Sequence, residues 1–339
     1  MISMRTSSFL GATHCPDGGK GCLKHAVRTH RQASIRSGKR GQSIAMKACH
    51  TEYMAQGQTL HPWEDWVWDK TVFEGTAAYY RQGRNPYAPA LADALAEHLH
   101  LDGRGRLLDV GCGPGTVALF FAHLFAGVIG LDPDSGMLAE AQRAAAEERI
   151  INASWLQLRA EDLPGPLSTF RVISFGQSFH WMDRPRVASS VREMLDANGA
   201  VVQVDLWHTN PPNQVPPNGP YPPIPEASID ELRRRWLGPD RRAGQGFRNT
   251  SPDGEDAVFQ AAGFAPEELV IVPDDRVLQR SVGDLVAWVL STSSTAPHLF
   301  GDHLEDFIED LRSLLLDASP EGRFSVALSD NRLRIRRPR

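Results

Sequence analysis

Between residues 106 and 206 the chain keeps a strict rhythm, and that rhythm restricts its fold more than any other feature. Short apolar runs at Arg106–Val110, Gly127–Leu131, Trp155–Leu158, Val172–Phe175 and Ala200–Leu206 alternate with helical patterns at Thr116–Phe125, Ser135–Glu147 and Arg184–Leu195. Strands separated by helices at this spacing pair in parallel, because each return to the sheet needs a crossover, and the crossover helices cover both faces. Two later apolar runs, Glu267–Val272 and Leu333–Arg336, extend the count to seven. The pattern therefore predicts an α/β fold with a central, mostly parallel seven-stranded sheet and helices on both faces.

The flanking segments differ in texture. Residues 1–50 hold nine Lys/Arg against the single acid Asp17, a charge of +8, whereas the other 289 residues carry 27 basic and 40 acidic side chains, or −13. The basic segment has no apolar period of 2 or 3.6, so 1–55 reads as a loose leader, as an Arg- and Ser-rich transit peptide, or as a zinc knot on Cys15, Cys22, His25 and His30. The six-residue gap between the two cysteines is wider than structural zinc sites use. Met46 and Met54 are alternative starts. A body this acidic repels a phosphate backbone, so nucleic-acid affinity would have to come from the leader alone. The uncharged stretch Val110–Leu131 contains Pro114, His123 and five glycines, which is too broken for a membrane span. Four cysteines without a signal peptide suit a reducing, cytoplasmic setting better than a disulfide scaffold.

Residues 56–339 read as one domain. Seven aromatic residues crowd into Trp63–Tyr87, ahead of an amphipathic helix in which Leu91, Leu95 and Leu99 recur every four residues; 63–100 reads as an N-terminal helical cap. The core is 104–207. Eight prolines between Pro211 and Pro225 open an insertion after the fifth strand, 208–300, which contains a helix at Ile229–Leu237 and a capping-box start at Ser281 and Asp284. A C-terminal helix and strand complete 301–339.

The chemistry concentrates at three successive strand ends. After the first strand comes Asp109-Val110-Gly111-Cys112-Gly113-Pro114-Gly115, where glycines allow a tight bend and close approach to a ligand, and the helix starting near Thr116 aims N–H groups at an anion. Thr116 stands where a dinucleotide-binding loop has its third glycine, and Asp109 would repel pyrophosphate but suits an ammonium group. At the second strand end, Asp132 can accept both hydroxyls of a ribose. After the third strand, Arg159-Ala160-Glu161-Asp162-Leu163-Pro164 offers acceptors with an apolar neighbour for an adenine edge. An amino acid, a ribose and a purine together make S-adenosylmethionine.

With these motifs the chain resembles the class I S-adenosylmethionine-dependent methyltransferases, a Rossmann-like fold, and within them the small-molecule group that includes ubiquinone and trans-aconitate methyltransferases. The resemblance rests on residues 107–115, Gly130-Leu131-Asp132-Pro133, Ala160-Glu161-Asp162-Leu163-Pro164 and Gly176-Gln177-Ser178-Phe179-His180-Trp181, and covers roughly 70–207. It implies a cofactor-binding set of Tyr80, Arg84, Asp109, Gly111, Cys112, Gly113, Gly115, Asp132, Pro133, Met137, Ala160, Glu161 and Gln177, with S-adenosylhomocysteine as product. Gly111 and Gly113 would line the methionine end, Asp132 the ribose, and Ala160 with Glu161 the adenine. The chain departs from its relatives at Arg159, where many have Asp. Tyr80-Arg81-Gln82-Gly83-Arg84-Asn85-Pro86-Tyr87 resembles a family element that folds over the cofactor; Tyr80 and Arg84 would then close the site and hold a carboxylate, or else the segment only packs.

Methyl transfer needs alignment and a dry, apolar wall, and requires no metal; a base helps only when the acceptor starts protonated. His180 is the titratable group placed for that role, and its alternative is to wall the pocket together with Trp181 while Asp183 caps the next helix. Cys112 reads as a small filler, and Asn210-Pro211-Pro212-Asn213 as a loop. Substrate choice falls to the added parts, Trp63–Tyr87, the proline-rich excursion with Arg233–Trp236, and Asp284–Ser294 with His298, whose aromatics and arginines favour a planar or carboxylated small molecule bound by a monomer or homodimer. The rival readings are a macromolecular methyltransferase using the basic leader, a nicotinamide-dependent oxidoreductase, and a non-catalytic cofactor-binding regulator.

Overall fold

A computed structural model describes residues 69–207, 219–240, 243 and 254–339, which belong to one compact unit, Gly57–Arg339. The basic leader with its cysteines and histidines, the tryptophans at 63, 66 and 68, and the first half of the proline-rich run lie outside the described residues.

Helix α1 (Ala77–Gly83) and α2 (Ala90–Leu99) precede β1 (Arg106–Val110). The core then runs α3 (Thr116–Phe121), β2 (Gly127–Asp132), α4 (Ser135–Glu147), β3 (Ala153–Gln157), β4 (Phe170–Gly176), α5 (Arg184–Glu193) and β5 (Leu195–Trp207). The remainder comprises α6 (Glu226–Leu237), α7 (Gly254–Ala261), β6 (Glu268–Val272), β7 (Val277–Ser281), α8 (Val282–Leu290), α9 (Leu304–Ala318), β8 (Arg323–Ala327) and β9 (Asp330–Arg336). The main sheet has the order β3-β2-β1-β4-β5-β9-β6. Its first five strands are mutually parallel, and β9 runs antiparallel to both neighbours.

Successive residues of the inner strands point into different cores, which is why these strands read as unbroken apolar runs. Leu107, Val172 and Val202 pack with Leu91, Leu95 and Leu99 of α2 and Phe121 of α3 on one face. Leu108, Ile173 and Val201 pack with Val187 and Val191 of α5 and Phe259 of α7 on the other. A third core joins Ile229 and Leu232 of α6, Leu285 and Val289 of α8, and Phe307, Leu311 and Leu315 of α9. Among the described residues no helix is long and apolar enough to cross a membrane.

The elements depart from the sequence pattern in ways that have local causes. The helix expected to reach Phe125 stops at Phe121 and tightens into a 3-10 turn at Ala122–Leu124, whose Ala122 and Phe125 carbonyls accept both amide hydrogens of Asn152. Strand β5 begins five residues early, because the register slips between Phe170 and Val172 so that Leu195 also joins the ladder. The two-stranded sheet β7-β8 and helix α7 were not foreseen. Strand β7, Val-Leu-Gln-Arg-Ser, has neither an apolar run nor a clean alternation; tertiary contacts made by its arginine hold it. Asp183 and the Ser281–Asp284 capping box start α5 and α8 as expected.

Candidate cofactor crevice

Parallel strands send their carboxyl ends to one side of the sheet, and the crevice opens there, where the loops after β1 and β4 part company. β1 delivers its bend with Gly111, Gly113 and Gly115 all at positive φ (68°, 53° and 80°). The three are not equivalent. A methyl on Gly111 would lie 2.6 Å from the Ser178 Cβ and 2.9 Å from the Met182 Cε, and one on Gly115 would lie 2.7 Å from the Trp155 ring. A methyl on Gly113 would meet nothing nearer than the Met137 Sδ at 4.0 Å, so its bare face belongs to the crevice. The bend is fastened to β2 by the Gly111 and Cys112 N–H groups, which both donate to the Leu131 carbonyl (2.8 and 3.0 Å).

Asp132 ends β2. Its Oδ2 accepts the Gly113 N–H at 2.8 Å and its Oδ1 the Asp134 N–H at 2.9 Å. It is 9% exposed, and burial outweighs these hydrogen bonds, raising its pKa to about 6. Asp134 in turn caps α4 by accepting from the Gly136 and Met137 N–H groups. After β3, a 3-10 turn at Ala160–Asp162 presents Arg159, Ala160 and Glu161. Glu161 is buried; its Oε1 accepts the Asp183 N–H at 2.9 Å, and its Oε2 lies 3.4 Å from the Arg159 guanidinium. After β4, Gln177 takes a left-handed backbone (φ 54°), and the Ser178 hydroxyl donates to the Val110 carbonyl at 2.5 Å. The facing wall comes from the segment before and within α1: Lys70, Phe73 and Tyr80. Phe73 meets Trp181 edge to face, with ring centroids 5.6 Å apart.

The crevice thus gathers Tyr80, Gly111, Gly113, Asp132, Pro133, Met137, Ala160, Glu161 and Gln177 from the expected set. Five expected residues do not line it. Asp109 is 1% exposed and spends its carboxylate on the Ser174 hydroxyl (2.7 Å) and the Ala118 N–H (3.1 Å). Ser174 is its cross-strand partner on β4. Burial raises Asp109 to about 7. The expectation that it meets a ligand's ammonium group gives way to a bolt between β1, β4 and the first turn of α3, and that turn's Ala118 N–H is no longer free for an anion. Arg84 turns away to the Ser291 carbonyl (2.7 Å), with its guanidinium 4.7 Å over the Tyr80 ring. Cys112 is buried, with desolvation holding its thiol well above the ordinary value. Gly115 faces Trp155. His180 lies against Trp181, ring centroids 4.8 Å apart, and Trp181 is the one that lines the crevice.

Lys70, Phe73 and Met182 were missed as lining residues, whereas Arg159 belongs to the expected element after the third strand and lines the crevice. Phe73 carried a signal, as a member of the aromatic crowd before α1. Lys70 carried none, since a single lysine in a charged segment has no pattern.

Residues 107–199 match the family model for the methyltransferase domain. Among curated proteins, the chain is similar to the probable S-adenosylmethionine-dependent methyltransferase CRG1 of Saccharomyces cerevisiae, 31% identical over 126 residues, which cover 36% of this chain and 43% of that protein. It is also similar to a malonyl-acyl-carrier-protein O-methyltransferase of Enterobacter lignolyticus, 26% identical over 169 residues, covering 50% and 58%. The YcgJ protein of Bacillus subtilis, a solved structure, aligns over 72% of this chain and 96% of its own with a TM-score of 0.42 and 20% identity. The chain spans about half the length of the curated relatives it matches. Residues 107–199 thus match a methyltransferase domain, and the strand order is that of a Rossmann-like α/β fold.

Proposed function

We propose that this chain transfers a methyl group from S-adenosylmethionine to a small molecule. The observation that carries the reading is the meeting of Gly113 and Asp132 at one point of the crevice, joined by a 2.8 Å hydrogen bond, with Ala160 and Glu161 on the neighbouring strand end. The donor set suits the cofactor's parts. Asp132 would hold the ribose hydroxyls, the bare face of Gly113 leaves room for the amino-acid portion, and Leu131, Pro133, Ala160 and Met182 give the purine an apolar bed.

When bound, the cofactor supplies an electrophilic methyl group on a sulfonium. The chain's own part is to align and to exclude water. Phe73, Tyr80 and Trp181 form aromatic walls on the side away from the sheet, and such walls favour a planar acceptor while accommodating a dispersing positive charge. Alignment of acceptor and donor can supply about 7 kcal/mol or more of rate enhancement without any proton transfer. The aromatic lining supports a small acceptor over a macromolecular one.

The test has two stages. S-adenosylhomocysteine at about 100 times its Kd should stabilise the protein by about 2.7 kcal/mol, while NAD should not; stabilisation by NAD alone would reverse the assignment to an oxidoreductase. Isotopically labelled donor should then label a component of a pool of organic acids and phenols. Label appearing only in RNA or protein, and lost on removal of residues 1–55, would favour the second reading, for which the +8 charge of residues 1–50 speaks.

A further inference from the structure

Arg84, read from the sequence as the holder of a carboxylate, is committed to the Ser291 carbonyl, and the Ala118 N–H in the first turn of α3 is taken by Asp109. The connection between α1 and α2 that bears Arg84 carries a second polar group, the Tyr87 hydroxyl. Among the described residues this hydroxyl has no hydrogen-bond partner, and it is not sealed from solvent. It lies 3.9 Å from the place that a methyl on Gly176 would occupy, and Gly176 lines the crevice. Gly176 comes two residues after Ser174, just as Gly111 comes two residues after Asp109, the register partner of Ser174. The hydroxyl therefore stands beside the level at which β1 gives way to its glycine bend.

The rest of the residue is fastened. The Tyr87 carbonyl accepts from Arg276 at 2.9 Å, and the next N–H, that of Ala88, donates to the Asn331 amide oxygen at 2.8 Å. Arg280 donates to the Arg84 carbonyl and to the Asn85 amide oxygen, both at 2.9 Å. The ring packs on Phe120 of α3, with centroids 5.6 Å apart. A buried tyrosine ordinarily puts its O–H on a partner. Here the backbone and ring are held while the O–H is left over, which is the state of a group preorganised for a ligand. Burial, with Tyr80, Asp109 and Asp205 nearby, outweighs the Arg84 charge and holds the phenol above its ordinary value, so it keeps its proton and donates.

We propose that the Tyr87 hydroxyl donates a hydrogen bond to the carboxylate of the cofactor's amino-acid portion. The inference rests on the S-adenosylmethionine reading and names the residue that tells the full cofactor from one lacking its carboxylate.

Calorimetric titration of the full chain with S-adenosylmethionine and with its decarboxylated form, which differ by the carboxylate alone, tests it. The unaltered protein should prefer S-adenosylmethionine by about tenfold or more, as a hydrogen bond to a charged group allows. Tyr87→Phe, which keeps the ring against Phe120, should cut that preference by about tenfold and leave the affinity for the decarboxylated compound unchanged. The ratio of two affinities on one sample is independent of the folded fraction. An unaltered protein without the preference, a ratio that Tyr87→Phe leaves unchanged, or a loss of affinity equal for both compounds overturns the role of Tyr87 while leaving the cofactor assignment intact. Failure of both compounds to bind the unaltered protein overturns the cofactor assignment as well.

Discussion

Replacing Asp109 by Asn should flatten the dependence of stability on pH between 5 and 8. Burial holds the Asp109 carboxyl near 7 in the folded protein, whereas in the unfolded chain it ionises near 3.9. Between those values the folded protein keeps a proton that the unfolded chain has released, so stability declines as pH rises until the folded group ionises too. Each unit of difference is worth about 1.36 kcal/mol. About two units of the window lie above pH 5, so Asp109 should remove about 2–3 kcal/mol between pH 5 and pH 8. Asparagine preserves the shape: its carbonyl can accept the Ala118 N–H, and its amide can donate to the Ser174 hydroxyl oxygen. Equilibrium unfolding in urea at pH 5, 6, 7 and 8 reads the effect. The difference between the two proteins should move in favour of Asn by about 2–3 kcal/mol across the series, with other titrating groups cancelling because both chains share them. A difference constant to within about 0.5 kcal/mol would refute the claim that this carboxyl is protonated in the folded core at pH 5.

Further outcomes are expected at Asp132, Gly113, Gly111 and Arg336. Asp132 has a folded pKa of about 6 and must be ionised to accept two hydroxyls, so calorimetric affinity for S-adenosylhomocysteine should weaken by about tenfold per pH unit below that value; Asp132→Asn should bind weakly at all pH values. Gly113→Ala should cost about 1–2 kcal/mol in urea unfolding, from its left-handed backbone alone, yet remove most ligand affinity. Gly111→Ala should cost about 2–5 kcal/mol because it adds overpacking against Ser178 and Met182. Arg336 is fully buried and holds Asp256 at 3.2 Å, Glu267 at 2.6 Å and the Gln203 amide oxygen at 2.6 Å. Arg336→Met should therefore lower unfolding stability by about 1–3 kcal/mol, because the Gln203 amide oxygen loses its donor while Glu267 keeps Arg334 at 2.6 Å.

What could be read from the sequence follows from what is locally written. The strand-helix alternation and the glycine bend are contiguous, so the sheet and the nearness of the glycine bend to Asp132 were legible. The role of Trp155 was not. It stands opposite Gly130 in the β2-β3 register and fills the space left bare at Gly115, a pairing between positions far apart in the chain. Asp109 misled for a related reason: its place before the glycines suggests a ligand contact, but the side on which a strand residue falls depends on the pleat, and Asp109 falls on the side of Ser174. Strand β7 was invisible because Arg280 earns its place through distant partners.

Those partners set an order of events. Arg280 donates to the Gln82, Gly83 and Arg84 carbonyls and to the Asn85 amide oxygen, and a methyl on Gly83 would lie 2.5 Å from the Ala287 carbonyl. The piece of chain bearing Tyr80 is made early and locked by residues nearly two hundred positions later. During synthesis from the amino terminus, the five-stranded parallel sheet can assemble while α1 still waits for its clasp. The aromatic wall of the crevice is therefore completed late, after most of the polypeptide has been made.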